Sequence, residues 1–239
     1  MLSKEVKAEI YGSLSEKSGV YSGYITGGDA VGQSVYVLSR RPLGDYVYGI
    51  VTAVINPGET NEKYVVTQKQ EIMYEPEIRQ RLGAVKSLKI ERLNCLYEKS
   101  CGAVILYKEN ADAEASILLV KNQKGRFWSF PKGHVELWEN EKETAVREIK
   151  EETDLDVEIL DNFREISDYC PFGKVRKRVV FFLAAAKSNK VKIQESEIES
   201  YIWVKLSEAK KVCTYENDLR VIDKAREYYE DHLMKNKSI

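Results

Sequence analysis

The sequence predicts an α+β fold, and two observations carry that prediction. Short apolar, β-branched runs bounded by Gly, Pro and Asn are typical of strands, and they occur along most of the chain. Between and after them lie a few charged segments with helical composition, above all 140–153 and 216–234. The length of 239 residues fits one large domain or two small ones. We therefore expect mixed sheets covered by a few helices.

The elements follow in order along the chain. Strands are predicted at 35–38, 50–55, 63–67, 101–107, 116–120, 156–160, 179–186 and 201–204, and helices at 75–82, 140–153, 207–212 and 216–234. Ser207 is expected to cap the helix 207–212, because its hydroxyl can accept a hydrogen bond from a free backbone N–H. A charged run ends and a fresh apolar strand begins within 94–100. We expect a boundary there, with a small β-rich domain over 1–95 and a larger domain over 96–239.

Composition excludes several classes of protein. The 37 basic and 38 acidic residues give a net charge of −1, so a global basic field for nucleic acid is excluded. No run of 18 apolar residues exists, and the first residues lack the apolar core of a secretory signal. The four cysteines form no CxxC pair, which indicates reduced thiols. These features together predict a cytoplasmic protein with no membrane segment.

Charges of opposite sign are sorted in the second half of the chain. Ten acidic residues fall within 136–158, opposed only by Lys142, Arg147 and Lys150, and a basic strip follows at 174–178. Two unrelated solvated faces would produce this pattern. A site that holds divalent cations and a polyphosphate together would produce it as well.

Three carboxylates share one side of the predicted helix 140–153. On a helical wheel Glu148, Glu151 and Glu152 fall within an arc of roughly 100°. The opposite flank can pack on a sheet through Ala145, Val146, Ile149 and Thr153. Like charges at this spacing destabilise a helix unless a cation bridges them, and carboxylate oxygens suit magnesium or manganese. The alternative is a solvated acidic face.

The spacing around these carboxylates resembles the Nudix box, GX5EX7REUXEEXGU. The fixed positions are filled by Gly133, Glu139, the pair at 147–148 and the pair at 151–152. Asp154 stands where the family has glycine, at the point where the helix should end in a left-handed conformation. Asp tolerates that conformation better than most residues do.

The resemblance implies an α/β/α sandwich with a mixed sheet and hydrolysis of a nucleoside diphosphate linked to another group. By it, Glu148, Glu151 and Glu152 are magnesium ligands, and Gly133 offers backbone contacts at the start of the loop. Arg147 holds the carboxylates by charge-assisted hydrogen bonds, and Glu139 supports them. The metal would neutralise phosphate oxygens and lower the pKa of the attacking water. The identity of the carboxylate that takes the proton stays open.

Segments outside the box are similar to asymmetric diadenosine tetraphosphate hydrolases. They are 126–136 (RFWSFPKGHVE), the basic strand 174–179, the segment 197–203 with its E-x-x-x-Y-x-W pattern, and the turn 214–218. This likeness implies that Lys132, His134 and Lys177 bind phosphate oxygens; otherwise they are ordinary surface groups. Tyr201 and Trp203 are interpreted as sheet core.

The same likeness suggests one further acid and an aromatic contact. Glu197, favoured over Glu195 and Glu199 by its spacing, would be an additional metal ligand or the base. Adenine needs an aromatic face to stack on. Tyr215 is the first candidate for that contact and Tyr169 the second, although either ring could simply pack.

The N-terminal part resembles soluble inorganic pyrophosphatases at 21–25 and 29–38. That family holds its metals with three aspartates, and here only Asp29 matches, because Val31 and Ser34 replace the other two. Neither replacement offers a carboxylate to magnesium. The resemblance implies a degenerate, catalytically dead β-rich domain. The alternative is an unrelated accessory domain for homodimerisation or substrate choice.

The predicted activity is magnesium- or manganese-dependent hydrolysis of diadenosine tetraphosphate to ATP and AMP. An enzyme that removes pyrophosphate from RNA 5′ ends is an alternative, and a non-catalytic nucleotide-sensing Nudix module is another. Sensors tend to lose box carboxylates, and this chain keeps all three, which favours an enzyme. The expected partner is a nucleotide substrate rather than a membrane or a stably bound nucleic acid.

Overall fold

The computed structural model describes residues 1–28, 30–123, 125–171 and 173–233. The chain forms two compact units. The first contains Met1–Glu98 together with Tyr169–Lys177, and the second contains Lys99–Asp168 and the chain from Arg178 onward. The segment Tyr169–Lys177 is far along the chain from the rest of the first unit, and its membership of that unit was not predicted from the sequence.

The first unit is built on a five-stranded barrel. Its strands are β1 (Glu5–Ser15), β2 (Val20–Gly27), β3 (Ser34–Leu38), β4 (Tyr46–Ile55) and β5 (Lys63–Gln68). They pair in the order β1-β2-β3-β5-β4, and β4 pairs back with β1, which closes the barrel. The β3–β5 pair is parallel and the other four pairs are antiparallel. A helix, α1 (Glu75–Leu82), and a short strand, β6 (Leu93–Cys95) on β4, complete the described elements of this unit.

Alternation of side chains along the strands creates two apolar layers in the first unit. Inward-facing side chains fill the barrel, among them Ala8, Ile25 and Val37. Outward-facing ones such as Leu38 pack with Ile78 of α1. Strands β1 and β2 were not predicted, and β4 begins four residues before the predicted strand at 50–55. The sequence of β1 does begin with an alternating charged and apolar run at 5–10, but its pairing with β2 shifts register at Ile10/Gly12 and Ser13/Ser15, which ends the pattern.

The second unit is a mixed α and β structure around a seven-stranded sheet. Its described strands are β7 (Tyr97–Tyr107), β8 (Ser116–Asn122), β9 (Trp128–Ser129), β10 (Lys132–His134), β11 (Val157–Tyr169), β12 (Arg176–Ala186) and β13 (Ile198–Lys205). The end residues of β7, β11 and β12 at 97–98, 169 and 176–177 are counted with the first unit. The order is β11-β12-β7-β8-β13, with β9 on β8 and β10 on β7. The helices are α2 (Glu141–Thr153), α3 (Ala209–Val212) and α4 (Glu216–Tyr228), followed by a π-helical turn, Tyr229–Leu233. The predicted α+β class is confirmed.

Several local predictions need correction. The helix predicted at 207–212 begins at Ala209, and Glu208 rather than Ser207 occupies its N-cap. The C-terminal helix changes to a π-helical turn after Tyr228, and residue 234 lies outside the described residues. Val146 and Tyr201 are exposed, so neither belongs to the core. Trp203 does pack against it, as predicted.

Two further findings concern the cysteines and the helices. All four cysteines are free thiols, and three of them are buried. Among the described residues, no helix is long and apolar enough to cross a membrane.

Candidate active site

Helix α2 carries the acidic cluster, and the local sequence fixes both of its ends. At the start, the Asn140 side chain accepts hydrogen bonds from the N–H groups of Lys142 and Glu143, and the Glu143 carboxylate accepts one from the N–H of Asn140. This capping box satisfies free backbone donors. At the other end, Asp154 adopts the left-handed conformation (φ 57°), and its N–H donates to the carbonyl of Lys150. Asp154 therefore fills the role expected of the family's glycine.

Two of the three box carboxylates are buried against strand β10. Glu148 is 8% exposed and Glu152 only 2%. The carboxylate of Glu148 occupies the space beside Gly133 where any larger residue would place its Cβ, so a side chain there would force the carboxylate to move. Glu152 accepts a 3.0 Å hydrogen bond from the backbone N–H of Lys132. The solvated-face interpretation therefore fails for these two acids.

Burial controls the protonation of both acids. It raises the pKa of Glu152 to about 7, against the opposing charge and backbone hydrogen bond of Lys132. Burial also raises the pKa of Glu148, and the charge of Glu151 adds to the effect, while Arg147 opposes it. The neighbouring Glu151 is half-exposed instead. One helix thus presents two desolvated carboxylates and one that faces water.

Arg147 ties the cluster together. Its Nε and Nη2 atoms donate to the two carboxylate oxygens of Glu139, and Nη2 also donates to the carbonyl of His134 at 2.9 Å. Its Nη1 donates to Glu148 at 2.8 Å and to Glu151 at 2.9 Å. The hydrogen bond from Arg147 lowers the pKa of Glu139 to about 2. Glu139 therefore stays ionised and anchors the guanidinium.

The donor set suits a hard cation. Glu148, Glu151 and Glu152 supply only carboxylate oxygens, and two of them lie in a desolvated setting where positive charge is stabilising. Within the described ranges, no three acidic, His or Cys side chains already converge on a single metal position. Glu148 and Glu151 turn toward Arg147 instead. The residues fit a divalent cation that shares these carboxylates with the arginine.

Three acids near the start of β13 can be told apart by their partners. Glu199 forms an ion pair with Lys121 at 2.8 Å, and the backbone carbonyl of Glu195 accepts from the Gln123 side chain. Glu197 is exposed, and its charge is among the influences, after burial, that raise the pKa values of Glu148 and Glu152. Glu197 is therefore the acid of this group that is electrostatically coupled to the box.

The predicted phosphate-binding residues divide between the two units. Lys132 and His134 flank Gly133 on β10, beside the box carboxylates. Lys177 belongs to the first unit, where its ammonium lies 3.6 Å from a carboxylate oxygen of Glu98. Tyr169 also belongs to the first unit. The roles of Lys177 and Tyr169 thus stay predictions.

Sequence reasoning missed two neighbours of this site. Phe127 is exposed and its ring centroid lies 6.4 Å from that of Tyr215, at an interplanar angle of 37°. Asp218, in the first turn of α4, is buried and hydrogen-bonded with Ser129. Burial raises the pKa of Asp218, while Ser129 and the charge of Lys132 oppose the shift. Both contacts join segments that are far apart in the sequence, so no local motif predicts them.

The residues proposed for the pyrophosphatase resemblance offer no metal site in the part of the chain that is described. Asp29 lies outside the described residues. Val31 and Ser34 are exposed and bring no carboxylate. The kinship of the first unit stays a prediction.

Comparison with known proteins identifies the domain type of the second unit. Residues 98–225 match the NUDIX domain. The bis(5′-nucleosyl)-tetraphosphatase [asymmetrical] of Rattus norvegicus is 34% identical over 127 residues, which cover 49% of this chain and 86% of that protein. The Caenorhabditis elegans protein of the same name is 34% identical over 121 residues, with the same coverage of both chains.

A solved structure agrees with these sequence matches. The C. elegans Ap4A hydrolase binary complex matches at a TM-score of 0.51 and 28% identity, covering 56% of this chain and 98% of that one. The prediction of a hydrolase acting on pyrophosphate bonds is thereby confirmed. The chain belongs to the Nudix family.

Proposed function

We propose that the chain hydrolyses dinucleoside polyphosphates with Mg²⁺ or Mn²⁺, most readily diadenosine tetraphosphate, to give ATP and AMP. The observation that supports this most directly is the pair of desolvated carboxylates, Glu148 and Glu152, together with the Arg147 guanidinium that holds Glu148 and Glu151. The likeness to asymmetric tetraphosphatases supports the choice of substrate.

The metal-holding residues in this proposal are Glu148, Glu151 and Glu152, with Glu197 as a further ligand. A bound divalent cation supplies Lewis acidity, which neutralises phosphate oxygens and acidifies water. Arg147 keeps Glu148 and Glu151 oriented, and Glu139 in turn keeps Arg147 charged and in place. Gly133 leaves the space that the Glu148 carboxylate occupies.

The remaining residues bind the substrate and move the proton. Lys132 and His134, on β10 beside the carboxylates, neutralise the polyphosphate. Phe127 and Tyr215 present exposed rings on which an adenine can stack. Water attacks phosphorus and loses its proton to one of Glu151, Glu152 or Glu197, and the nucleotide on the far side of the broken bond leaves.

The deciding experiment compares three substrates with and without Mg²⁺: diadenosine tetraphosphate, 5′-triphosphorylated RNA and ADP-ribose. We expect the dinucleotide to give the highest kcat/KM, with ATP and AMP as the products. Preferred turnover of the RNA would support an RNA 5′-pyrophosphohydrolase instead. Nucleotide binding without turnover of any of the three would support a sensing module.

Glu151→Gln serves as the control for this assay. Because Glu151 is half-exposed, the substitution should leave the fold intact, and a circular dichroism spectrum checks this. Full activity of the variant would contradict the assigned site. Loss of activity in the variant with retained nucleotide binding agrees with it.

A further inference from the structure

Four tyrosines form an exposed patch on the outside of the barrel. We call it the tyrosine face; it consists of Tyr11, Tyr24, Tyr46 and Tyr48 with Lys7 and Glu9, on strands β1, β2 and β4. The four rings are 63%, 37%, 56% and 65% exposed, respectively. Exposed apolar side chains gathered in this way, rather than scattered singly, indicate an interaction surface.

Contacts among the rings give this face a fixed shape. Tyr11 and Tyr24 stack with centroids 6.0 Å apart, and Tyr46 and Tyr48 meet edge to face at 5.6 Å. The Lys7 ammonium lies 4.8 Å from the centroid of Tyr46 and 5.7 Å from that of Tyr48. Side chains that are ordered before binding lose less entropy when a partner arrives.

The charge on the face argues for a protein partner. Only Lys7 and Glu9 carry charge within it, so the face is close to neutral. A surface that binds nucleic acid must neutralise phosphates with several basic groups. Tyrosine-rich surfaces with few charges are instead typical of the centre of protein interfaces.

The strand register makes the face complementary to itself. Lys7 pairs with Tyr48, Ala8 with Val47, and Glu9 with Tyr46 across β1 and β4. Consider a two-fold axis that lies between two such faces and crosses β1 at Ala8. It places Lys7 opposite Glu9 of the second copy, and Tyr46 opposite Tyr48, twice over. An isologous interface requires this reciprocal pairing.

We propose that two copies of this chain associate through the tyrosine face. The four exposed rings would bury about 400 Å² per copy, if a tyrosine offers about 200 Å². That is about half of the roughly 800 Å² that each partner contributes to a stable interface. Side chains around the patch, such as Ser22 two positions before Tyr24 on β2, would add to this area. The homodimer expected for the N-terminal part thereby obtains a specific surface.

Charge reversal in the full-length chain tests the pairing. We expect sedimentation velocity to show a dimer for the natural sequence. Lys7→Glu or Glu9→Lys alone places like charges opposite one another, and each should weaken dimerisation by roughly tenfold or more. The double variant Lys7→Glu/Glu9→Lys restores the pairing and should recover the original affinity to within about threefold. Lys86→Glu, exposed elsewhere in the same unit, is the matched control.

Three results would overturn the proposal. A monomer at concentrations up to about 100 µM would do so, and so would single reversals that behave like the Lys86→Glu control. Binding of a single-stranded RNA oligomer by a monomeric chain, lost in Tyr46→Ser/Tyr48→Ser, would assign the face to nucleic acid instead. If a charge variant fails to fold by circular dichroism, the double tyrosine variant decides, because the proposal requires it to be monomeric.

Discussion

Both units have apolar interiors, but among the described residues the buried carboxylates lie in the second unit. The barrel interior is apolar, with Ala8, Ile25 and Val37 at its centre. In the second unit, Glu148 and Glu152 lie almost as deep, on a helix that also packs through Ile149. Burying apolar surface stabilises a fold, whereas burying a carboxylate costs free energy unless a partner compensates it. The difference indicates which interior serves stability and which serves chemistry.

Neutralising a buried acid of the second unit has the largest expected effect. Glu152→Gln removes a carboxylate of the proposed metal site and should lower kcat/KM by at least about 100-fold, because charge stabilisation worth several kcal/mol is lost. Its amide oxygen can still accept from the N–H of Lys132. The free energy of unfolding without divalent cations should therefore change by less than about 1 kcal/mol.

Chemical denaturation in EDTA, alongside steady-state kinetics, measures both quantities for Glu152→Gln. A loss of stability as large as about 3–5 kcal/mol would show that the carboxylate supports the fold. In that case the buried acids of the second unit would stabilise the fold, as the apolar side chains of the barrel interior do.

The matching substitution in the first unit removes an apolar side chain from the barrel interior. Ile25→Ala deletes a fully buried side chain and should cost about 2–5 kcal/mol of the first unit's stability, because it leaves a cavity among the packed strands. At temperatures where the variant is folded, kcat/KM should stay within about twofold of the natural sequence. Thermal unfolding and the nucleotide assay together measure this. An equal loss of activity would mean that chemistry depends on the barrel interior.

The features that could be predicted from the sequence are those determined by contacts between residues close together along the chain. Helix α2 could be predicted almost to the residue, because Asn140, Glu143 and Asp154 determine its ends through local hydrogen bonds. The box acids could be recognised for the same reason, since one helix carries them all. Barrel closure could not be predicted, because it depends on the pairing of β1 with β4, about 40 residues away.

The exposure of individual side chains could not be predicted from the sequence either. Tyr201 lies on the same face of β13 as Trp203, yet it is exposed, whereas Trp203 packs against the core and contacts the ring of Tyr107. The partners of Phe127 and Asp218 come from distant segments of the chain. Such contacts depend on tertiary packing, which a local pattern does not specify.

Two glycine substitutions test how tightly the Glu148 carboxylate fits against β10. Gly133→Ala places a Cβ where the Glu148 carboxylate lies, so the acid must move. We expect a loss of about 1–3 kcal/mol in stability and a fall in kcat/KM together. Gly44→Ala in the first unit is the matched control, because nothing lies within 4 Å of the added Cβ. Equal effects of the two substitutions in denaturation and kinetics would contradict the tight fit at Gly133.

A smaller effect concerns an ion pair at the start of α2. Glu141 accepts hydrogen bonds from Arg164 at 2.7 and 2.9 Å and pairs with Lys99 at 2.7 Å, and these partners, Arg164 first, lower its pKa from 4.5 to about 2. A carboxyl group whose pKa is lower in the folded chain than in the unfolded chain stabilises the fold at every pH above its unfolded pKa. This contribution is lost as the pH falls from about 4.5 toward 2. Since Arg164 is partly exposed, Glu141→Gln should cost only about 0.5–1 kcal/mol at pH 7. Urea denaturation at pH 7, 4.5 and 3 should show the difference from the natural sequence shrinking, and a difference that grows toward low pH would contradict it.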